Sequence, residues 1–253
     1  MMQSTLIKYL LYHLYDAALS IRKVGSKEEI EHLHQFRVDL RLVRSLLQLY
    51  ASDVILFPQT LKTFLKATNI VRELDVLLLS LDKKSTKKVF KQLSSLRNEH
   101  AEALFTQESK TQIFQSLNDF YDFLTDLNPS YNNDSLIQTA YEHYNESLQE
   151  YCTLPPSSSI KKLHALRIRF KISRYALEFL QDNALQDIHD KLEECKRFQD
   201  TLGEIHDLHN QVKFLKKLQH ENPSKELKEL LRERKKLLKN SQLPINRCDT
   251  MFC

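Results

Sequence analysis

One eleven-residue pattern occurs twice in this chain, and a chain built that way is constrained to fold as two like halves. The first copy is His34-Gln35-Phe36-Arg37-Val38-Asp39-Leu40-Arg41-Leu42-Val43-Arg44, and His164-Ala165-Leu166-Arg167-Ile168-Arg169-Phe170-Lys171-Ile172-Ser173-Arg174 repeats it. Both read His-x-x-Arg-x-x-x-(Arg/Lys)-x-x-Arg. At about 100° per residue, these offsets keep the four polar side chains within about 80° of one helix face. The apolar residues fall beside them: Leu33, Phe36, Leu40, Val43 and Leu47 in one copy, and Leu163, Leu166, Phe170 and Leu177 in the other. Each copy therefore predicts an amphipathic helix with a basic rail about 15 Å long next to an apolar stripe.

The remainder of the chain agrees with helices. Only two glycines (Gly25, Gly203) and six prolines stand in 253 residues, which leaves little material for hairpins. Long Leu/Lys/Glu/Gln-rich segments point to an all-α protein. The glycine count also excludes a Gly-rich phosphate loop and a dinucleotide fingerprint. An apolar fraction of 42% suffices for a core. The net charge is a modest +4, but it is unevenly placed: from Lys213 to Lys239 there are ten Lys/Arg against four Glu. Such separation permits a focused positive surface.

Cys152, Cys195, Cys248 and Cys253 lack metal-ligand spacing, and reduced thiols are expected. The apolar run from Leu6 to Tyr15 is too short to span a bilayer and lacks a signal peptide's charged start. A soluble, cytoplasmic protein with no membrane partner is expected.

In order, the periodicity predicts helices over Ser4–Arg22, a rail helix running to Tyr50 after a Ser26 capping box, then Leu61–Leu81, Ser85–Gln107 and Gln112–Leu127. Asn128 to Asp134 forms the clearest break. Beyond it come helices over Ser135–Tyr151, Ile160–Leu180 and Asp187 to His220, and a last one from Pro223, taken as its first residue, to Asn240. The domain organisation is thus a repeat half 1–128, a second 134–240, and a tail 241–253. Asp75 follows His34 by 41 residues and Asp207 follows His164 by 43, which suggests that the two carboxylates are counterparts.

Taken together, His34-x-x-Arg37-x-x-x-Arg41-x-x-Arg44, Arg72-Glu73-Leu74-Asp75-Val76, the second rail with Tyr175 and Glu178, and Leu202-Gly203-Glu204-Ile205-His206-Asp207 form an ordered set. This set resembles the CHAD family of α-helical, histidine-containing domains, over essentially residues 3–240. The resemblance implies two pseudo-symmetric helical-bundle halves around a shared basic groove or channel. It also implies binding of inorganic polyphosphate and, in some members, association with polyphosphate granules. Two departures stand in the first half: Ile70-Val71 where Leu-Gly is common, and Glu73 where Asp is common.

A linear polyphosphate offers oxygens and negative charge but no bases, so rows of cations suffice to hold it, best as guanidinium groups gripping oxygens in pairs. On this reading Arg37, Arg41, Arg44, Arg167, Lys171 and Arg174 contact phosphate. His34 and His164 donate hydrogen bonds, protonated when the anion is bound. Asp75, Asp207 and Arg72 support the rails. Lys88, Lys91, Arg97, Arg232 and Lys235 are peripheral basic positions, each with an ordinary solvated-surface alternative. Like charges gathered on one face repel, so their repetition calls for a bound polyanion.

The protein is expected to be non-catalytic, with no cofactor and no metal. His206-Asp207 alone is a weak metal signature, and His34 stands among arginines rather than carboxylates. Nucleic acid is the better rival partner. Yet Phe36 and Phe170 lie on the apolar side, away from any base-stacking role.

Overall fold

In a computed structural model the described residues are 4–24, 29–81, 86–127, 131–155 and 157–241. They form ten α-helices, and no strand occurs among them. The chain divides into two compact units between Asn132 and Asn133. The expected Ser26 capping box, residues 128–130 of the expected Asn128–Asp134 break and most of the tail lie outside the described residues.

Unit 1 contains α1 (Thr5–Lys23), α2 (Glu29–Tyr50), α3 (Gln59–Ala67), α4 (Asn69–Leu79), α5 (Lys87–Leu104) and α6 (Gln107–Asp126). Ser4 caps α1 by accepting the Ile7 amide on its hydroxyl, while Arg22 and Lys23 face the negative end of the helix dipole. The rail helix is α2, and its predicted apolar stripe of Leu33, Phe36, Leu40, Val43 and Leu47 is buried against α1. Phe36 meets Phe64 of α3 edge-on at 5.8 Å. Thr106 caps α6 by accepting the Ser109 amide, so this helix begins five residues ahead of the expected Gln112.

The single helix expected over Leu61–Leu81 is broken. Thr68 separates α3 from α4, and its buried hydroxyl donates back to the Leu65 carbonyl at 2.9 Å. That bond gathers two oxygens, Leu65 O and Thr68 Oγ1, at one point beside α2. Asn69 opens α4 immediately after them.

Unit 2 contains α7 (Asn133–Thr153), α8 (Ile160–Asp182), α9 (His189–Glu221) and α10 (Lys225–Asn240). Here α8 is the rail helix, lying against α7 and α9. Its core is aromatic: Tyr151 of α7, Phe170 of α8 and Phe198 of α9 pack with centroids 4.6 to 6.0 Å apart. Ser224, not Pro223, starts the last helix, because its hydroxyl accepts the Leu227 amide while the proline stays outside the helix.

Each unit ties its first helix to its rail helix through a histidine. In unit 1 His13 Nδ1 lies 2.8 Å from the fully buried Asp39 carboxylate, which also accepts from Gln35 at 3.1 Å. In unit 2 His143 Nδ1 lies 2.8 Å from the buried Ser173 hydroxyl. Both histidines stand 21 residues ahead of their own rail histidine, His34 or His164.

Cys195 is a free, buried thiol donating to the Phe170 carbonyl at 3.2 Å, and burial pushes it up to about 12, so it stays protonated.

Candidate functional site

In unit 1 the basic face of α2 meets the α3–α4 junction. Arg37 is 3% exposed, and its guanidinium is tied down by three acceptors. Nη1 donates to Leu65 O at 3.0 Å and to Thr68 Oγ1, and Nη2 donates to Asn69 Oδ1 at 2.7 Å. The same Asn69 oxygen receives a weaker contact from Arg41 Nη2 at 3.5 Å. Burial and the neighbouring Arg41 and Arg72 charges push Arg37 down to about 9, which leaves it a cation at neutral pH. His34, half-buried nearby, titrates below its ordinary value, first through desolvation and then through Arg72; Glu31 opposes the shift, and Arg41 and Arg37 add smaller lowering effects. His34, Arg37, Arg41 and Arg72 therefore form one cluster. Arg44 lies farther along α2 and is exposed.

In unit 2 the counterpart cluster forms between α8 and α9. His164 and His206 stack with centroids 4.3 Å apart, and their Nδ1 atoms are 3.2 Å apart. The Asn210 amide nitrogen reaches His206 Nε2 at 3.1 Å. An amide NH₂ only donates, so His206 Nε2 accepts and its proton sits on Nδ1; that proton goes to His164 Nδ1, which leaves His164 with an Nε2–H donor. Both rings are therefore neutral in this arrangement. Desolvation, then Arg167, then His164 hold His206 down to about 4. Desolvation and Arg167 lower His164 as well. Arg167 lies across from Gly203 of α9, where an added Cβ would sit 3.5 Å from Arg167 Nε.

The two ends of the second rail are occupied differently. Lys171 Nζ and the Arg174 guanidinium lie 5.4 and 5.2 Å from the centroid of buried Tyr175. Arg174 also pairs with Glu178 at 3.1 Å, where burial raises the Glu178 carboxyl and the arginine opposes that rise. Arg169, between the rail positions, turns to α7 and meets Glu146 at 2.9 Å and Glu150 at 3.3 Å.

The carboxylates paired by spacing are not counterparts in their surroundings. Asp75 is buried and accepts from Arg97 Nε at 2.9 Å, a bridge from α4 to α5. Arg97 is accordingly 8% exposed and belongs to the interior, not to a peripheral basic surface. Asp207 is half-buried on α9. The counterpart relation runs instead through Arg72, which opposes protonation of His34, and His206, which stacks on His164. Sequence reasoning weighs His206 only as a weak metal signature and leaves it out of the binding set. The signal that points to it is the shared interval of three residues, Asn69 to Arg72 and Gly203 to His206. Lys88, Lys91, Arg232 and Lys235 are exposed, while Arg234 beside the last two is buried. No group of three or more His, Cys, Asp or Glu suited to a metal ion occurs among the described residues.

The model of the CHAD domain matches residues 8–216, more than half of the chain. The chain belongs to the CHAD family. No curated protein matches it. It is similar to a solved structure, the crystal structure of the CHAD domain from the plant Ricinus communis. The TM-score is 0.74 at 20% identity, over 92% of this chain and 84% of that one. At that identity the likeness establishes a common all-α CHAD fold. No helix among the described residues is long and apolar enough to cross a membrane.

Proposed function

We propose that this CHAD chain binds inorganic polyphosphate without chemically altering it, in the cytoplasm and in association with polyphosphate granules. The observation that supports this reading is the gathering of cations around an uncharged histidine in each unit. The charges of Arg72, Arg41 and Arg37 outweigh that of Glu31 in opposing protonation of His34, and Arg167 opposes protonation of His164 and His206. A cluster that suppresses its own histidine charge is primed for an anion, because phosphate oxygens relieve the repulsion and let the imidazole take up a proton. Exposed Arg44 and half-buried Arg41, Lys171 and Arg174 extend each cluster along its rail. In this reading Arg37 organises its cluster from inside, while the outer cations contact the ligand.

The rival partner, nucleic acid, shares the phosphates but offers bases. The rail aromatics Phe36 and Phe170 are fully buried and provide no stacking platform. The test is competition at physiological salt. Bound polyphosphate of defined length is expected to resist displacement by single-stranded and duplex nucleic acid. Preferential displacement by nucleic acid would reverse the assignment. Binding that engages five to eight cations is expected to weaken with salt at a log–log slope of roughly −4 to −6.

A further inference from the structure

The two rail arginines occupy the same place in their patterns, yet their surroundings differ. In unit 1 Arg37 Nη1 donates to Leu65 O and Thr68 Oγ1, and Nη2 donates to Asn69 Oδ1. Of the five N–H donors of a guanidinium, only one on Nη2 and the buried one on Nε remain. In unit 2 the place of Asn69 is taken by Gly203. Each stands three residues before the residue that faces the rail histidine, Arg72 or His206. Each also faces the rail arginine: Asn69 through its oxygen at 2.7 Å, Gly203 through a Cβ position 3.5 Å from Arg167 Nε. Arg167 Nε, like Arg37 Nε, is buried without a hydrogen-bond partner, but among the described residues no bond like those of Arg37 Nη1 and Nη2 holds the Arg167 terminal nitrogens.

We infer that Asn69 and Gly203 set the two rail arginines to different tasks: Asn69 locks Arg37 into the wall of unit 1, and Gly203 leaves Arg167 free to grip a phosphate group. Gly203 and Asn69 are thus positioning residues, acting through the arginines opposite them. This rests on the polyphosphate reading and sharpens it, since it names the arginine that changes partners when ligand arrives. Glycine is a poor helix former, and Gly203 sits well inside the 33-residue α9. A longer side chain with an acceptor would reach Arg167 and compete with phosphate.

The test uses the full chain with Gly203→Asn, Gly203→Ala and Asn69→Ala. Nitrogen-15 NMR follows guanidinium rotation in the free protein, and titration with polyphosphate of defined length gives affinity. In the wild type, Arg37 is expected to rotate slowly and Arg167 fast. Gly203→Asn should slow Arg167 and weaken polyphosphate binding by about three- to ten-fold, the loss of one charge-assisted contact. Gly203→Ala adds bulk without an acceptor and should leave Arg167 fast and affinity near wild type. Asn69→Ala should speed Arg37. The inference is overturned if Arg167 is already as slow as Arg37, or if Gly203→Asn changes neither rotation nor affinity. A wild type that fails to bind polyphosphate defeats the proposed function, while the rotation data still decide whether Asn69 and Gly203 set the two arginines differently.

Discussion

His164 and His206 share one proton across a 3.2 Å Nδ1–Nδ1 contact, with Asn210 holding the far nitrogen of His206 as an acceptor. The arrangement is satisfied when both rings are neutral: a proton added to His164 makes both Nδ1 atoms donors, and one added to His206 goes to Nε2, where it meets the Asn210 amide donor.

Acid should therefore destabilise unit 2. The folded value of His206 is about 4, below the ordinary 6.5. Between those values the unfolded chain binds more protons than the folded one, so stability rises with pH there. The loss begins as pH falls below about 6.5 and is complete near 4. The raw shift is discounted because the ring is only half-buried, giving about 1–2 kcal/mol. Thermal melts between pH 7 and 4.5 should show this loss in the wild type and a smaller one in His206→Gln. Superimposable pH profiles would disprove the linkage.

Polyphosphate binding should take up protons. His34, His164 and His206 all titrate low in the free protein, and an anion raises each. Affinity should rise as pH falls, from the bound-state values down towards about 4 for His206, by up to about ten-fold per pH unit for each fully coupled proton. Calorimetry in buffers of different ionisation enthalpy measures the uptake directly. No uptake, with a flat affinity profile, would remove the histidines from the ligand contact.

Arg44 and Arg37 should fail in different ways. Arg44 is exposed and Arg37 is 3% exposed with three internal acceptors. Arg44→Gln should leave stability within about 0.5 kcal/mol and make the salt slope shallower by about 0.7, one phosphate contact on a single strand. Arg37→Gln removes the bonds to Thr68 Oγ1 and Asn69 Oδ1 and one of the two to Leu65 O, which keeps the Thr68 hydroxyl, and should cost about 2–3 kcal/mol in urea unfolding. An Arg37 variant of full stability that lost only affinity would return this residue to direct ligand contact.

The rails, their apolar stripes and the all-α class are legible in the sequence because 3.6-residue periodicity is a local property. The apolar stripe of α2 is buried as that periodicity requires. The α3–α4 break is not legible, because Thr68 is an unremarkable helix residue until Arg37 comes across from α2 to use its hydroxyl and the Leu65 carbonyl. For the same reason a solvated stripe and a buried Arg37 look alike in the pattern. Pairing Asp75 with Asp207 by interval fails because the segments after the two rails differ in length: Arg72 follows His34 by 38 residues and His206 follows His164 by 42. Only contacts across helices fix that register.

The Asp75–Arg97 bridge gives the sharpest test of what supports the unit 1 cluster. Both side chains are buried, and Asp75 Oδ1 accepts from Arg97 Nε at 2.9 Å. Asp75 also favours the charged form of Arg37, so its carboxylate offsets part of the repulsion within the cluster. Removing one partner breaks a buried ion pair and leaves a buried charge with less opposite charge around it, and Asp75→Asn or Arg97→Met should each cost about 3–5 kcal/mol in urea unfolding. The double variant Asp75→Leu/Arg97→Met should recover most of that loss, since an apolar pair of similar volume needs no compensation. Polyphosphate affinity separates the two roles of Asp75. With the chain folded, Asp75→Asn should bind polyphosphate more tightly, because a negative charge near the cluster is gone, whereas Arg97→Met should bind about as the wild type does. Equal effects of the two substitutions on affinity would mean that Asp75 acts on the site only through the stability of α4 and α5.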